Sequence, residues 1–473
     1  MKERLHFVGV GGIGMSGLAA MALDMGFEVS GSDRGSGNPE NRRIFDALVK
    51  SGLELHPQDG SFAAAGRRPD ALVYSTAIEE NNPDFAAGAG IPRLHRSQLL
   101  AKLLGKLPEG TRSIAVTGSC GKSTVTGYVA ETMVRMGLDA GCLDGALVKS
   151  FISETRAGNY RSGKGGFFVF EADESDKSLL NYGCDFAVIL NLGTDHYAKD
   201  ELVRVFGAFL ENVRRGAVLE LEVYRELAKA ELLPQDLPVR VFGDAACRDV
   251  TDGLAGYAME ETPAGRRPVA RLADGSSPVL PLPGRHMALN ALAVGALMKL
   301  LGAADGKLAA TLGAFGGVWR RNDRAGRLAG NGGLVYDDYA HNPEKIRANL
   351  ALMRELVPGK VVAVFQPHGY GPFGFMEQTL FEYLESDQRP GDVFILLEPY
   401  YAGGTSSFRP HADEVCAKWK AASKHPERYV TLPDRKAVRK FLLGHLGAAD
   451  AAAIMGARDN TLSDYAISLT RPE

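Results

Sequence analysis

Hydrophobic positions in this chain fall into short unbroken runs, most closed by glycine or an acidic residue and followed by a longer stretch of helical spacing. That alternation predicts strands that lead into helices. His6 to Val10 reads as a strand, Gly11 to Met25 as a glycine-opened helix, and Phe27 to Ser30 as a second strand. Ala71 to Tyr74 adds another strand and Gln98 to Leu104 a helix. Lys106 to Thr111, with Pro108 and Gly110 inside it, reads as a linker. A second unit starts at Ser113 and has further strands at Gly166 to Phe170 and Phe186 to Leu190. Short alternating runs and turns fill residues 215–285, and Ala288 to Leu301 forms a strongly apolar helix. A third unit begins after Arg321, with strands at Gly333 to Tyr336, Val361 to Phe365 and Val393 to Leu397. No internal repeat or low-complexity tract interrupts the pattern. The simplest architecture is an α/β chain of three domains in series, over residues 1–107, 108–322 and 323–473.

Composition narrows the class. At 473 residues the chain exceeds one comfortable core, which agrees with several domains. Hydrophobic residues at 45% and charged residues at 23% are ordinary for a soluble enzyme. A formal net charge of -3 provides no bulk attraction to nucleic acid or an anionic membrane. The five cysteines, at 120, 142, 184, 247 and 416, show no paired spacing and no metal-type cluster, which fits a reducing compartment. Met1 to Val8 runs directly into a strand pattern with no signal peptide ahead of it, and no apolar stretch reaches membrane-spanning length. The expectation is a cytoplasmic protein with no nucleic-acid or membrane partner.

Candidate chemistry begins at Ile114-Ala115-Val116-Thr117-Gly118-Ser119-Cys120-Gly121-Lys122-Ser123-Thr124. An apolar run enters a glycine-rich turn that ends in Gly-Lys-Ser and opens a helix. Such a turn converges backbone N–H groups on phosphates, and the helix N-terminus adds favourable partial charge. Lys122 then reaches a terminal phosphate and the Ser123 hydroxyl a magnesium ion. The full pattern has a glycine five residues before Gly121, where this chain has Val116. The reading is an ATP site.

Gly9-Val10-Gly11-Gly12-Ile13-Gly14-Met15 is a second glycine-rich turn between a strand and a helix, followed after the next strand by Asp33. This matches a dinucleotide fingerprint, and by pattern alone the diphosphate belongs to NAD, FAD or a UDP-sugar. A nicotinamide-dependent oxidoreductase accounts for that turn but leaves Lys122 without work. Glu171-Ala172-Asp173-Glu174-Ser175-Asp176 places four acids after a buried strand, a set suited to magnesium. Asn191-Leu192-Gly193-Thr194-Asp195-His196 repeats the design at the end of another strand.

These segments together resemble the Mur ligase family over nearly all of the chain. The resemblance rests on HFVGVGGIGMSGLA at 6–19, TGSCGKST at 117–124, EADESD at 171–176 and TDH at 194–196. It continues through PGRHMALNA at 283–291, RR at 320–321, DDYAHNP at 337–343 and FQPH at 365–368. It implies an N-terminal Rossmann-like UDP-binding domain, a central P-loop ATPase and a C-terminal Rossmann-like domain that admits an amino acid. Gly11, Gly12, Ile13, Gly14 and Met15, with Asp33 and Ser75, would hold the UDP-sugar. Gly118, Ser119, Cys120, Gly121, Lys122, Ser123 and Thr124 would hold ATP, with Asn290 facing adenine, Arg321 the phosphates and Asp338 the ribose. Ser123 and Glu171 would ligate one Mg²⁺ and His196 a second; Lys122, Glu171, His196 and Arg321 would carry the chemistry. Tyr339, His341 and His368 would line the pocket for the incoming amine. The implied substrates are ATP, UDP-N-acetylmuramate and an amino acid or short peptide, and the implied assembly is a monomer or homodimer. Among the family's branches the alanine-adding one is the most similar.

Several positions depart from that branch. Cys120 stands where it carries histidine or asparagine, and a thiol at a helix N-terminus is a candidate for inactivating oxidation. Met287 stands where the first asparagine of the H-N-x-x-N motif is usual. After FQPH the branch has two arginines that grip the amino acid's carboxylate, whereas this chain reads Gly369-Tyr370-Gly371-Pro372-Phe373-Gly374-Phe375. Either another basic residue, with Arg409 and Arg458 as candidates, takes over that grip, or the amine donor is not L-alanine. The nearest alternative donor is a preformed murein tripeptide. Lys199 lies near, but not at, the place where sister ligases carry a carbamylated lysine.

Overall fold

The computed structural model describes residues 2–38, 41–174, 177–193, 198–262, 265–304, 306–387, 389–400 and 408–472. The chain divides into two compact units, Met1–Trp319 and Arg320–Glu473. It is an α/β protein built on three separate, mainly parallel sheets.

The first sheet has five strands: β1 (Arg4–Val8), β2 (Glu28–Ser32), β3 (Glu54–His56), β4 (Ala71–Tyr74) and β5 (Arg93–His95). They lie in the order β3-β2-β1-β4-β5, all parallel. β1 begins and ends two residues earlier than the hydrophobic run suggests, because Gly9 turns the chain with φ of +77°. The N–H groups of Gly9 and Val10 then both donate to Ser32 O, at 2.8 and 3.0 Å. The helix Ile13–Asp24 follows.

The second sheet has nine strands: β6 (Arg112–Thr117), β7 (Gly141–Leu143), β8 (Tyr160–Arg161), β9 (Phe167–Glu171), β10 (Cys184–Ile189), β11 (Val213–Glu220), β12 (Val239–Asp244), β13 (Asp252–Thr262) and β14 (Gly265–Leu272). Their order is β14-β13-β12-β11-β10-β6-β9-β7-β8, with antiparallel pairs only at the two margins. The long β13–β14 hairpin resolves what the sequence shows as short alternating runs. β6 is interior to the sheet and buried from Ser113 to Thr117, with Ile114-Ala115-Val116 apolar, as expected of a strand covered on both faces. The helices Lys122–Arg135 and Arg285–Leu300 cover one face of this sheet with Val125, Val129, Met133, Leu292 and Leu297.

One continuous core joins the first sheet to the second, running from Leu5 and Phe7 through Leu18 to Leu143, Phe170 and Phe206. Gly17 marks the close approach, since a Cβ there would lie 2.9 Å from Leu143 and 3.2 Å from the Asn159 amide. Asn159 Nδ2 donates to Ile13 O at 2.6 Å and to Ser16 Oγ at 2.8 Å, and Ser51 Oγ donates to Thr155 O at 2.7 Å. Buried apolar contact and hydrogen bonds together make this a stiff junction.

The second compact unit holds β15 (Asp323–Arg327), β16 (Leu334–Asp338), β17 (Val361–Phe365), β18 (Val393–Leu396), β19 (Tyr429–Thr431) and β20 (Ala451–Met455). The order is β15-β16-β20-β17-β18-β19, parallel apart from β15 at the edge. Among the described residues no helix is long and apolar enough to cross a membrane.

Candidate active site

The phosphate loop leaves β6 at its carboxyl end, where β9 and β10 flank it on opposite sides. Ligands of open α/β sheets bind at such a reversal of strand order. Gly118 and Gly121 have φ of +133° and +83°, conformations costly for a residue with a Cβ. Added Cβ atoms show why: at Gly118 one would meet Leu190 Cβ at 3.0 Å and the Leu190 and Asn191 nitrogens at 3.1 and 3.2 Å. The loop is therefore pressed against the segment that follows β10.

That segment also holds the loop by hydrogen bonds. Cys120 N–H donates to Asn191 Oδ1 at 2.9 Å while Asn191 Nδ2 donates to Cys120 O at 3.0 Å, and Gly193 N–H donates to Ser119 Oγ at 2.7 Å. The Cys120 thiol itself is exposed. Asn191 has no obvious signal in the sequence beyond its place after an apolar strand. Asn290 sits on the other side, its Oδ1 3.7 Å from where a Gly121 Cβ would be, and its Nδ2 points to the Met287 sulfur at 3.6 Å. Met287 is thus buried packing that orients Asn290.

Lys122 opens the helix Lys122–Arg135. Its Nζ donates to Gly118 O at 3.0 Å and pairs with Glu174 at 2.8 Å, and Asp173 lies 4.0 Å away. Burial works against the ammonium, but Glu174, Asp173 and Glu171 outweigh it and hold the Lys122 pKa above its ordinary value. The charge is permanent and waits beside the glycine turn.

Glu171 closes β9. Burial raises its pKa, opposed by a hydrogen bond with Ser123 and the charge of Lys122. Gly145 N–H donates to Glu171 Oε2 at 3.2 Å, and a Cβ at Gly145 would lie 2.7 Å from both carboxylate oxygens. Ser123 and Glu171 are therefore brought together, and their hydroxyl and carboxylate oxygens form a donor pair of the kind magnesium takes. Among the described residues no group of three His, Cys, Asp or Glu side chains gathers in metal-binding fashion. His196, expected to serve a second metal, lies outside the described residues, as do Asp195, Ser175 and Asp176. Lys199 pairs with Glu222 at 2.6 Å and Glu226 at 3.1 Å, on the helix Leu221–Lys229.

The first glycine turn follows β1, where β2 and β4 flank it on opposite sides. Asp33 fastens it: Gly11 N–H donates to Asp33 Oδ2 at 2.8 Å and Gly35 N–H to Oδ1 at 2.7 Å. Oδ2 thus holds the glycine turn directly, while Oδ1 fixes the segment that carries Asp33 itself. Gly12 caps the helix Ile13–Asp24, which Gly14 and Met15 continue, and Ser75 follows β4 on the same sheet edge.

A small cleft of about 60 Å³ lies between the first glycine turn and the acids that end β9. Gly14 and Arg96 line one side, Gly145, Glu171 and Asp173 the other. Arg96, which the sequence reading passed over, pairs with Asp173 at 3.2 Å, and its other guanidinium nitrogen is 3.1 Å from a Gly14 Cβ position. It links the first glycine turn to the acid cluster.

In the second compact unit, Tyr339, His341 and His368 come together after β16 and β17. His341 meets the Tyr339 ring edge-on at 5.5 Å and the His368 ring at 5.2 Å. Burial lowers the His341 pKa to about 4 against a stabilising bond between Nδ1 and Tyr339 O at 2.9 Å, and Lys345, His368 and Arg321 add to the lowering. The Arg321 guanidinium lies 5.3 Å from the Tyr339 ring centre. Asp338 is buried and accepts from Asn322 N–H at 2.6 Å and Ala340 N–H at 2.7 Å, so it also shapes the turn beside Tyr339. Arg409 is engaged with Glu414 at 2.9 Å.

Comparison with known proteins agrees with this layout. A family model described as "Mur ligase family, catalytic domain" matches residues 4–106, and one described as "Mur ligase, glutamate ligase domain" matches 320–458. A UDP-N-acetylmuramate–L-alanine ligase of Rhizobium meliloti is 34% identical over 96% of this chain and 93% of its own. The crystal structure of a UDP-N-acetylmuramate–alanine ligase from Thermotoga maritima superposes with a TM-score of 0.76 at 24% identity, over 98% of both chains. A murein peptide ligase from Psychrobacter arcticus gives a TM-score of 0.64 at 20% identity, over 99% of this chain and 98% of that one.

Proposed function

This chain belongs to the Mur ligase family, and from that premise we propose that it joins L-alanine to the carboxylate of UDP-N-acetylmuramate. At the coarser level it is an ATP-dependent acid–amino-acid ligase of peptidoglycan precursor synthesis. The observation that carries the finer reading is the 34% identity, over 96% of this chain, to a UDP-N-acetylmuramate–L-alanine ligase, and the cleft between Gly14 and Glu171 suits a sugar-linked acid. A diphosphate on the first glycine turn would extend its sugar along this cleft, towards a triphosphate on the second.

A carboxylate is a poor electrophile, so the γ-phosphoryl group of ATP is first transferred to it, forming an acyl phosphate. The donor amine then attacks the acyl carbon, and inorganic phosphate leaves through a tetrahedral intermediate. Both reactants of the first step are anions, and the Lys122 ammonium offsets their repulsion as it exchanges Glu174 for phosphate oxygen. Ser123 and Glu171 would hold a magnesium ion, which supplies further charge neutralisation at the phosphates. Asn191 and Asp33 keep the two glycine turns in shape, so that little binding energy goes into ordering them. Tyr339, His341 and His368 offer the amine a neutral, aromatic-walled pocket, and His341 stays unprotonated at neutral pH.

The Gly369–Phe375 segment, which has no arginine, keeps a second reading in view, in which the donor is a murein tripeptide. The test offers amino acids and short peptides with UDP-N-acetylmuramate and ATP, scoring ADP release and product mass. L-alanine is expected to give the ligated product. Turnover with the tripeptide and not with L-alanine would replace the first reading by the second.

A further inference from the structure

In the second compact unit, β17 and β20 run side by side with Phe365 opposite Met455, and Gln366 N–H donates to Met455 O at 2.9 Å. His368 and Arg458 therefore stand at matching positions just beyond the paired ends. Gly456 permits the approach, since a Cβ there would lie 2.7 Å from Gln366 O. The turn bearing Arg458 is held from within. Arg320, which is 1% exposed, donates to Gly456 O at 2.6 Å and Asp459 O at 3.1 Å. The Asp459 carboxylate pairs with Arg435 at 2.6 Å.

Within this rigid turn Arg458 has φ of +64°, a left-handed conformation that glycine adopts freely and a β-carbon disfavours. Such conformations persist where the surroundings impose them, and they concentrate at functional sites. The Arg458 side chain is exposed and makes no ion pair or hydrogen bond among the described residues. Its charge reaches His368, whose Nδ1 is buried without a hydrogen-bond partner, and Lys345 adds a second positive charge near both His368 and His341. Neutral histidines flanked by cations complement an anion carried next to an amine.

We propose that Arg458 grips the carboxylate of the amine donor, so that the donor is a free α-amino acid whose amine faces the His341–His368 walls. This rests on the ligase reading above. A guanidinium fork suits a carboxylate bidentately, a geometry that an ammonium does not reproduce. Arg409, the other candidate, already has Glu414.

The test compares the wild type with Arg458→Gly and Arg458→Lys, each assayed with UDP-N-acetylmuramate, ATP, and a panel of amino acids set against their carboxamides. Arg458→Gly suits the left-handed backbone, so its melting temperature is expected to match or exceed that of the wild type. The variant should raise the KM for the amino acid by at least about 30-fold, with the KM for ATP and for the UDP-sugar unchanged. Wild-type preference for acid over amide should collapse in the glycine variant and partly return in Arg458→Lys. An unchanged KM and an unchanged preference in Arg458→Gly would overturn the inference while leaving the ligase reading intact. Wild-type turnover with a tripeptide but no single amino acid would overturn it too. A wild type that ligates no donor at all would instead remove the ligase reading itself.

Discussion

Asn191 holds Cys120 from both directions, accepting its N–H at 2.9 Å and donating to its carbonyl at 3.0 Å. The side chain acts as a substitute strand partner for a loop that has left its sheet. Each bond is worth about 1 kcal/mol net, and the loop's hold on phosphate depends on its N–H groups pointing inward. Asn191→Ala is therefore expected to raise the KM for ATP about tenfold and to lower kcat, with the KM for the UDP-sugar unchanged. Steady-state kinetics with each substrate varied in turn would check this, and an unaltered ATP dependence would contradict it.

Lys122 and Glu174 form a pair whose acidic member is only 2% exposed. Lys122→Ala should lower turnover on the order of 10³-fold by removing charge from the phosphoryl transfer. It should also lower the melting temperature, because Glu174 is left buried without its partner. Adding Glu174→Gln to Lys122→Ala should recover stability and not activity. Recovery of both, or of neither, would count against the separation of the two roles.

Gly145 sits against the Glu171 carboxylate, so that a Cβ would lie 2.7 Å from both oxygens. Gly145→Ala is expected to rotate Glu171 away from Ser123. Saturation by magnesium should then need roughly tenfold more metal, with the melting temperature nearly unchanged. A magnesium titration of activity identical to that of the wild type would show that Glu171 does not serve the metal.

His341 is kept neutral by burial, with a pKa lowered to about 4 from an ordinary value of 6.5. As pH falls below 6.5 the unfolded chain takes up a proton that the folded chain refuses until about pH 4, so stability declines across that window. Partial solvent access keeps this contribution below about 3 kcal/mol. Denaturant unfolding at pH 7, 5.5 and 4 should show a shallower decline in His341→Gln than in the wild type. Parallel slopes would mean that His341 is not what couples this unit to pH.

Much of the fold was legible because its strands are apolar on both faces. The strand expected at Val361–Phe365 matches to the residue, and those at β9 and β10 within two. β20 was missed although it lies between β16 and β17 with every residue buried. Its Ala451-Ala452-Ala453 favours helix on its own, and only the flanking strands make a narrow strand fit. The two glycine turns and Glu171 could be named from the sequence because glycine and acid at a strand end are unusual, whereas Tyr339, His341 and His368 followed only from the family resemblance. Asn191 and Arg96 could not be named, since nothing local distinguishes them from ordinary surface residues. Asp33 was expected to serve a ligand hydroxyl, whereas its oxygens also engage the backbone at Gly11 and Gly35. Side-chain-to-backbone bonds of that kind depend on distant segments meeting, and spacing in one chain does not reveal them.

The packing of Gly17 against Leu143, with Asn159 reaching Ile13 and Ser16, has a consequence for the way the sugar substrate is measured. On the proposed ligase reading, diphosphate anchor and phosphoryl donor would be mounted on one frame, a caliper of set opening. A sugar nucleotide whose acid arm is too short or too long would remain bound and unreacted, since the frame has no slack with which to accommodate it.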